Sequence, residues 1–166
     1  LLKRNLAWAL ELDHAHSHAQ ALTFGATLVT LLEDWPAASE LGTRGAAMSQ
    51  RLGFPVLAHA SEFFAAHAQA QQGEPAAALA RMQRAAQGVW ATGTLNYRPL
   101  MEMLLARVLA RCGEPDAARA MLAAAFGTVA LSGERWIEPE LWRLQAELEP
   151  AQREADLRQA LALARA

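Results

Sequence analysis

The chain has a single cysteine, Cys112, so an intrachain disulfide and a thiolate metal site are both excluded. Its place in an apolar helical pattern makes it a packing residue. No run of about 18 apolar residues is free of charges and polar amides, so no segment reads as membrane-spanning. The opening Leu1-Leu2-Lys3-Arg4-Asn5-Leu6 lacks the order of an export signal, and a cytoplasmic setting is expected by default. Fifteen basic residues stand against seventeen acidic ones, for a net charge of -2. With no surplus of positive charge to neutralise a phosphate backbone, direct nucleic-acid binding is not expected. β-Branched residues are sparse and argue against a sheet.

What is abundant is alanine, interrupted by Gly and Pro at regular places, a composition that favours helices joined by short turns. Gly53, Gly93 and Gly133 are forty residues apart, and Asp13 falls forty before the first of them. A second set of breaks contains Trp35-Pro36, Glu74-Pro75 and Glu114-Pro115, with Gly73 and Gly113 just ahead of the last two. Proline there suits the first turn of a new helix.

The same register orders the side chains between the breaks. Ala26, Ala66, Ala106 and Ala146 form one column; Phe24, Phe64, Leu104 and Leu144 form a second; Leu28, Ala68, Val108 and Leu148 a third; Ala38, Ala78 and Ala118 a fourth, in the partner helix. A small residue beside a large one, once per forty, is what close helix packing requires, because only a small side chain lets the neighbouring backbone approach.

The pattern predicts helices at about 1–12, 14–33, 36–52, 55–72, 75–92, 97–112, 115–132, 136–148 and 151–165. These make a leading helix followed by about four hairpins, with repeats at 14–53, 54–93, 94–133 and 134–166. The last repeat is shortened, since Glu149-Pro150 follows Glu114-Pro115 by thirty-five residues and Leu157 and Ala160 then match Leu122 and Ala125. A period in this range means that each unit must cover its apolar faces with copies of itself. The expected fold is therefore all-α, a right-handed α-α superhelix of the solenoid type, forming one domain over 1–166. Because no polar cap closes either end, the sequence reads as a piece of a longer chain whose exposed end faces could pair two copies.

Gly73-Glu74-Pro75-Ala76-Ala77-Ala78-Leu79 and Gly113-Glu114-Pro115-Asp116-Ala117-Ala118 resemble the tetratricopeptide turn between two hairpin helices, although forty residues exceed the thirty-four of the common repeat. The stretch Ser132-Gly133-Glu134-Arg135-Trp136-Ile137-Glu138-Pro139-Glu140-Leu141-Trp142 and its continuation to Leu148, with Gln50-Arg51-Leu52-Gly53-Phe54 and Trp90-Ala91-Thr92-Gly93, resembles the tetratricopeptide-like region of bacterial multidomain signalling ATPases. That resemblance implies a parent carrying a class III nucleotidyl cyclase domain or the DNA-binding domain of a transcriptional activator. This region contains neither: it has no Gly-Lys-Ser or Gly-Lys-Thr phosphate loop, and Asp occurs only at 13, 34, 116 and 156. The implied role is non-catalytic, a regulatory scaffold that needs no cofactor or metal and binds a protein or peptide, including other domains of its own chain. An alternative is a sensor that holds a small effector inside the superhelix, lined by Phe63 and Met103.

His14, His16 and His18 form the most chemical-looking cluster, with His14 and His18 spaced to share a helix face. No third ligand is evident, and with Asp13 as the expected cap they read as solvated residues of a first turn. Glu138 and Glu140 read as carboxylates at a helix start, where the dipole favours them. Most of the tryptophans and phenylalanines are expected in the core or between hairpins. Candidate recognition residues come from the first helix of each hairpin, which lines the concave side of such a superhelix. Two columns there change chemistry at every level: Thr23, Phe63, Met103 and Arg143, and Thr27, His67, Arg107 and Glu147. They are the expected groove.

Overall fold

In a computed structural model, residues 2–165 are described, with side chains from Arg4 onward, and all regular structure among them is helical. Leu1 and Ala166 lie outside these residues, and of Leu2 only the backbone is described, so the expected apolar opening at Leu1-Leu2 falls outside the described side chains. The helices are α1 (Leu2–Glu11), α2 (Ala15–Leu31), α3 (Trp35–Leu52), α4 (Pro55–Gln71), α5 (Pro75–Trp90), α6 (Arg98–Arg111), α7 (Pro115–Ser132), α8 (Glu138–Leu148) and α9 (Arg153–Ala164), with a 3-10 turn at Arg135–Ile137. No helix among the described residues is long and apolar enough to cross a membrane.

The turns carry a sharper regularity than the glycine spacing alone suggests. Residues 13, 33, 53, 73, 93, 113 and 133 all have positive φ, so a left-handed residue occurs every twenty positions. Five of the seven are glycines, which adopt this conformation at no steric cost, whereas Asp13 at φ 46° and Glu33 at φ 59° do so with a Cβ. The underlying unit is thus one helix and one turn, and two units make a hairpin. Proline opens α4, α5 and α7 and falls at the first or second position of α3, α6 and α8, where its missing N–H costs no helical bond. Glu33→Gly is expected to stabilise the chain by about 0.5–1 kcal/mol, read as a rise of a few degrees in thermal midpoint.

The chain divides into two compact units, 1–93 and 94–166, cut at a repeat boundary. In the first, α2 packs on α3, α3 on α4, α4 on α5 and α2 on α4, with α1 against α2. In the second, α6 pairs with α7 and α8 with α9, while α8 also meets α6 and α7. Each is a solenoid-like stack of hairpins.

Small residues set the closeness of the stack. A Cβ added to Gly42 of α3 would lie 2.8 Å from the backbone N of Ala65 and from the carbonyl O of Ser61, both in α4. One added to Gly45 would lie 2.5 Å from Ser61 Oγ. The alanine column behaves as its spacing predicts, since Ala26, Ala66, Ala106 and Ala146 are all buried. Phe64, Leu104 and Leu144, and Ala68 and Val108, are buried as well. The first level breaks both large-residue columns: Phe24 and Leu28, expected in the core, are 43% and 44% exposed.

Candidate functional site

Of the eight residues expected to line an open groove, five are in the core. Thr23, Thr27, Phe63, His67 and Met103 are all buried, so the two columns do not form an exposed recognition surface at these levels. The reason lies in how their polar atoms are satisfied. Thr23 Oγ1 donates to the carbonyl of Ala19 at 3.0 Å and lies 2.8 Å from Ser61 Oγ, and Thr27 Oγ1 donates to the carbonyl of Thr23 at 3.0 Å. A hydroxyl that returns to its own helix can be buried at little cost. His67 packs edge-on to Trp35, with ring centroids 5.6 Å apart, and its Nε2 is 3.0 Å from Gln71 Nε2. Phe63 makes an edge-to-face contact with Phe64 at 5.5 Å.

The other three are brought together, by a residue outside the expected groove. Glu140 Oε2 accepts from Arg107 Nη2 at 3.2 Å and from Arg143 Nη2 at 2.8 Å, and Arg143 Nη1 donates to Glu147 Oε1 at 3.0 Å. Arg107, Arg143 and Glu147 therefore stand in a half-exposed charge ladder between α6 and α8. Exposed pairs of this kind contribute up to about 1 kcal/mol each and are screened by salt, so the ladder positions α8 more than it recognises a ligand. Glu138 and Glu140 do occupy the first turn of α8, and Glu138 also pairs with Arg135 at 2.9 Å.

The histidine cluster is divided among separate contacts. His14, not Asp13, caps α2, its Nδ1 accepting from the backbone N–H of Ser17 at 3.3 Å; Asp13 is the left-handed turn residue instead. His16 packs edge-on to Phe54 at 5.0 Å, and His18 Nε2 is buried without a hydrogen-bond partner. Among the described residues, no group of three His, Cys, Asp or Glu side chains is placed to hold a metal ion. His14 and His18 do share a cavity of about 230 Å³ with Ala9, Leu10, Met48 and Arg51, where α1, α2 and α3 meet.

The most distinctive surface was the least expected one. Phe24, Leu28 and Leu31 project at i, i+4 and i+7 along α2, so they lie on one helix face, and each is 43–44% exposed. Leu32 extends the apolar surface at its carboxyl end, 69% exposed. Forty residues on, Phe64 and Ala68 occupy the same places in α4 and are buried. There the face that carries Ser61, Phe64, Ala65 and Ala68 is turned toward the preceding hairpin, with Ser61 and Ala65 against Gly42. Among the described residues α2 is contacted by α3, α4 and the ten-residue α1, and the equivalent face is left part-exposed at Phe24 and Leu28. Sequence columns could not show this exposure, because an identical residue type is core or surface according to whether a neighbour is present.

Protein-family models, curated proteins and solved structures were all compared with this chain, and none matches it. The fold and site define a class, an all-α array of helical hairpins with a part-exposed apolar face on α2.

Proposed function

We propose that the chain is a non-catalytic protein-interaction module, a regulatory scaffold that receives an amphipathic helix on the exposed face of α2. The observation that supports it most is the contrast between Leu28 and Ala68, equivalent by register, one exposed and one buried. An apolar stripe of about two turns is the pattern by which a helix is read in a groove. Its resemblance to the tetratricopeptide-like region of bacterial signalling ATPases favours a cytoplasmic setting and a parent with a cyclase or transcription-regulating output. Neighbouring hairpins meet over modest interfaces, so capture of a helix at one end would bias the packing of the next.

A suitable probe is a fluorescein-labelled peptide of about 18 residues with Leu and Ala on one face and Lys at its ends. It is expected to raise its anisotropy on the wild-type chain, while Leu28→Glu weakens binding at least about tenfold by placing a charge in the stripe. A permuted peptide of the same composition, lacking an apolar face, should not bind. Equal binding of both peptides, or of both chains, would remove the stripe from the account.

A second reading, a small-effector sensor, is favoured by the cavity at the α1–α2–α3 junction. Leu10 and Met48 give it apolar walls, and Arg51 and Asp13 place both signs of charge in its lining, so a small molecule with an anionic end would pair with Arg51 beside the Asp13 carboxylate. Benzoate should then shift the methyl resonance of Met48 in the wild type and not in Arg51→Ala; no shift would exclude this reading.

A further inference from the structure

Two opposite charges line the cavity at the α1–α2–α3 junction without pairing. Asp13, in the turn before α2, and Arg51, in the last turn of α3, both border it. Neither side-chain charge is in a hydrogen bond or ion pair among the described residues. Elsewhere in the chain such neighbours do pair, as Arg44 does with Glu40 and Arg119 with Asp116 and Glu149. His18 lines the same space from the first turn of α2, and its Nε2 is buried without a hydrogen-bond partner. Solvation accounts for an exposed charge but not for a buried imidazole nitrogen, which a ligand would satisfy.

Asp13 is also an exception among the turns. At φ 46° it holds the left-handed conformation that glycine supplies at five of the other six turn positions. A carboxylate is thus carried beside the cavity at a position where the array mostly has no side chain. Size and walls narrow the class of ligand further. About 230 Å³ is below the roughly 300–1,000 Å³ of drug-sized pockets and above the roughly 150 Å³ that admits a benzene ring. Leu10, Met48 and Leu52 give it apolar sides. A fitting molecule has an aliphatic body of about four to six carbons, one cationic end and one anionic end.

Resting on the small-effector reading, we infer that the cavity takes a free zwitterionic amino acid with a branched aliphatic side chain. The ligand carboxylate pairs with the Arg51 guanidinium and its ammonium with the Asp13 carboxylate. The side chain lies on Leu10 and Met48, and His18 Nε2 gains the hydrogen bond it lacks. A simple monoanion would satisfy Arg51 but stand beside the like charge of Asp13, so the second charge of the ligand selects the zwitterion.

Titration with L-leucine, followed by the methionine methyl resonances, tests this. The Met48 signal is expected to shift and saturate below about 10 mM, a range set by the small size of the ligand. That of Met103, buried in the second unit, should stay in place. Isocaproate, which lacks only the ammonium, and isoamylamine, which lacks only the carboxylate, should each bind at least about tenfold more weakly. Asp13→Asn keeps a residue type that tolerates the left-handed turn. It should abolish the preference for leucine over isocaproate, and Arg51→Gln the preference over isoamylamine, both with unchanged helical circular dichroism. A preference that survives Asp13→Asn would overturn the inference. Equal binding of leucine and isocaproate, or a Met48 shift with benzoate and none with leucine, would also overturn it while leaving the small-effector reading of the cavity standing. No Met48 shift with any of these molecules would remove both.

Discussion

Phe63→Ala should destabilise the first unit by about 3–5 kcal/mol, the range for removing a fully buried aromatic ring. Phe63 is 0% exposed and packs edge-on to Phe64, so the loss combines the transfer of its ring atoms with an unfilled cavity and a missing aromatic contact. If Phe63 lined an open groove, the same substitution would leave stability nearly unchanged and reduce binding alone. Urea unfolding separates the two. The core position predicts a large fall in the midpoint at similar slope, and a change under about 0.5 kcal/mol would return Phe63 to the surface.

Gly42→Val is expected to cost about as much, by the opposite mechanism. A helix interior normally gains nearly 1 kcal/mol when glycine is replaced by alanine, and valine recovers part of this. Against it stand the backbone N of Ala65 and the carbonyl of Ser61, each 2.8 Å from an added Cβ. Neither is a side chain that can rotate away, so α3 and α4 must separate. That disturbs Gly45 against Ser61 and the bond from Ser61 to Thr23. Overpacking of this kind costs about 1–3 kcal/mol before the valine methyls are added, so a net loss near 3 kcal/mol is expected. Gly88→Ala provides the contrast. Its added Cβ meets the ring of His59, a side chain that can turn, and the helix gain should hold the net change within about 1 kcal/mol. Thermal unfolding of the two variants side by side checks the difference, and equal effects would show that rigid backbone contact does not set the spacing.

Much of the fold was legible in the sequence because turns and close contacts demand particular residues. Gly53, Gly93 and Gly133 mark left-handed positions that other residues adopt only with strain, and Pro36, Pro75 and Pro115 mark first turns. The predicted helix ends accordingly agree with the observed ones to within about two residues. Glu33 hid the twenty-residue turn register, since a glutamate carries no signal of positive φ.

The functional surface was far less legible. Thr23, Thr27 and His67 were expected in the groove because their columns change chemistry at every level, yet hydroxyls bonded to carbonyls of the same helix and an imidazole against Trp35 are compatible with a core. Phe24 and Leu28 looked like core because they align with Phe64 and Ala68. Column membership records what packs within a hairpin array, and a face is buried only where a neighbouring helix is present. Arg107, Arg143 and Glu147 were expected in the groove and stand instead in an ion-pair ladder, and Glu140, which joins the first two, sits in a different register.

The most direct test is thiol labelling of single cysteines at the equivalent positions 28 and 68, in a chain whose native Cys112 is replaced by serine. At low concentration Leu28→Cys should react nearly as fast as an unfolded thiol, while Ala68→Cys should be protected by orders of magnitude until the unit opens. Equal rates at the two positions would contradict the claim that α2 carries an uncovered copy of a face that α4 buries.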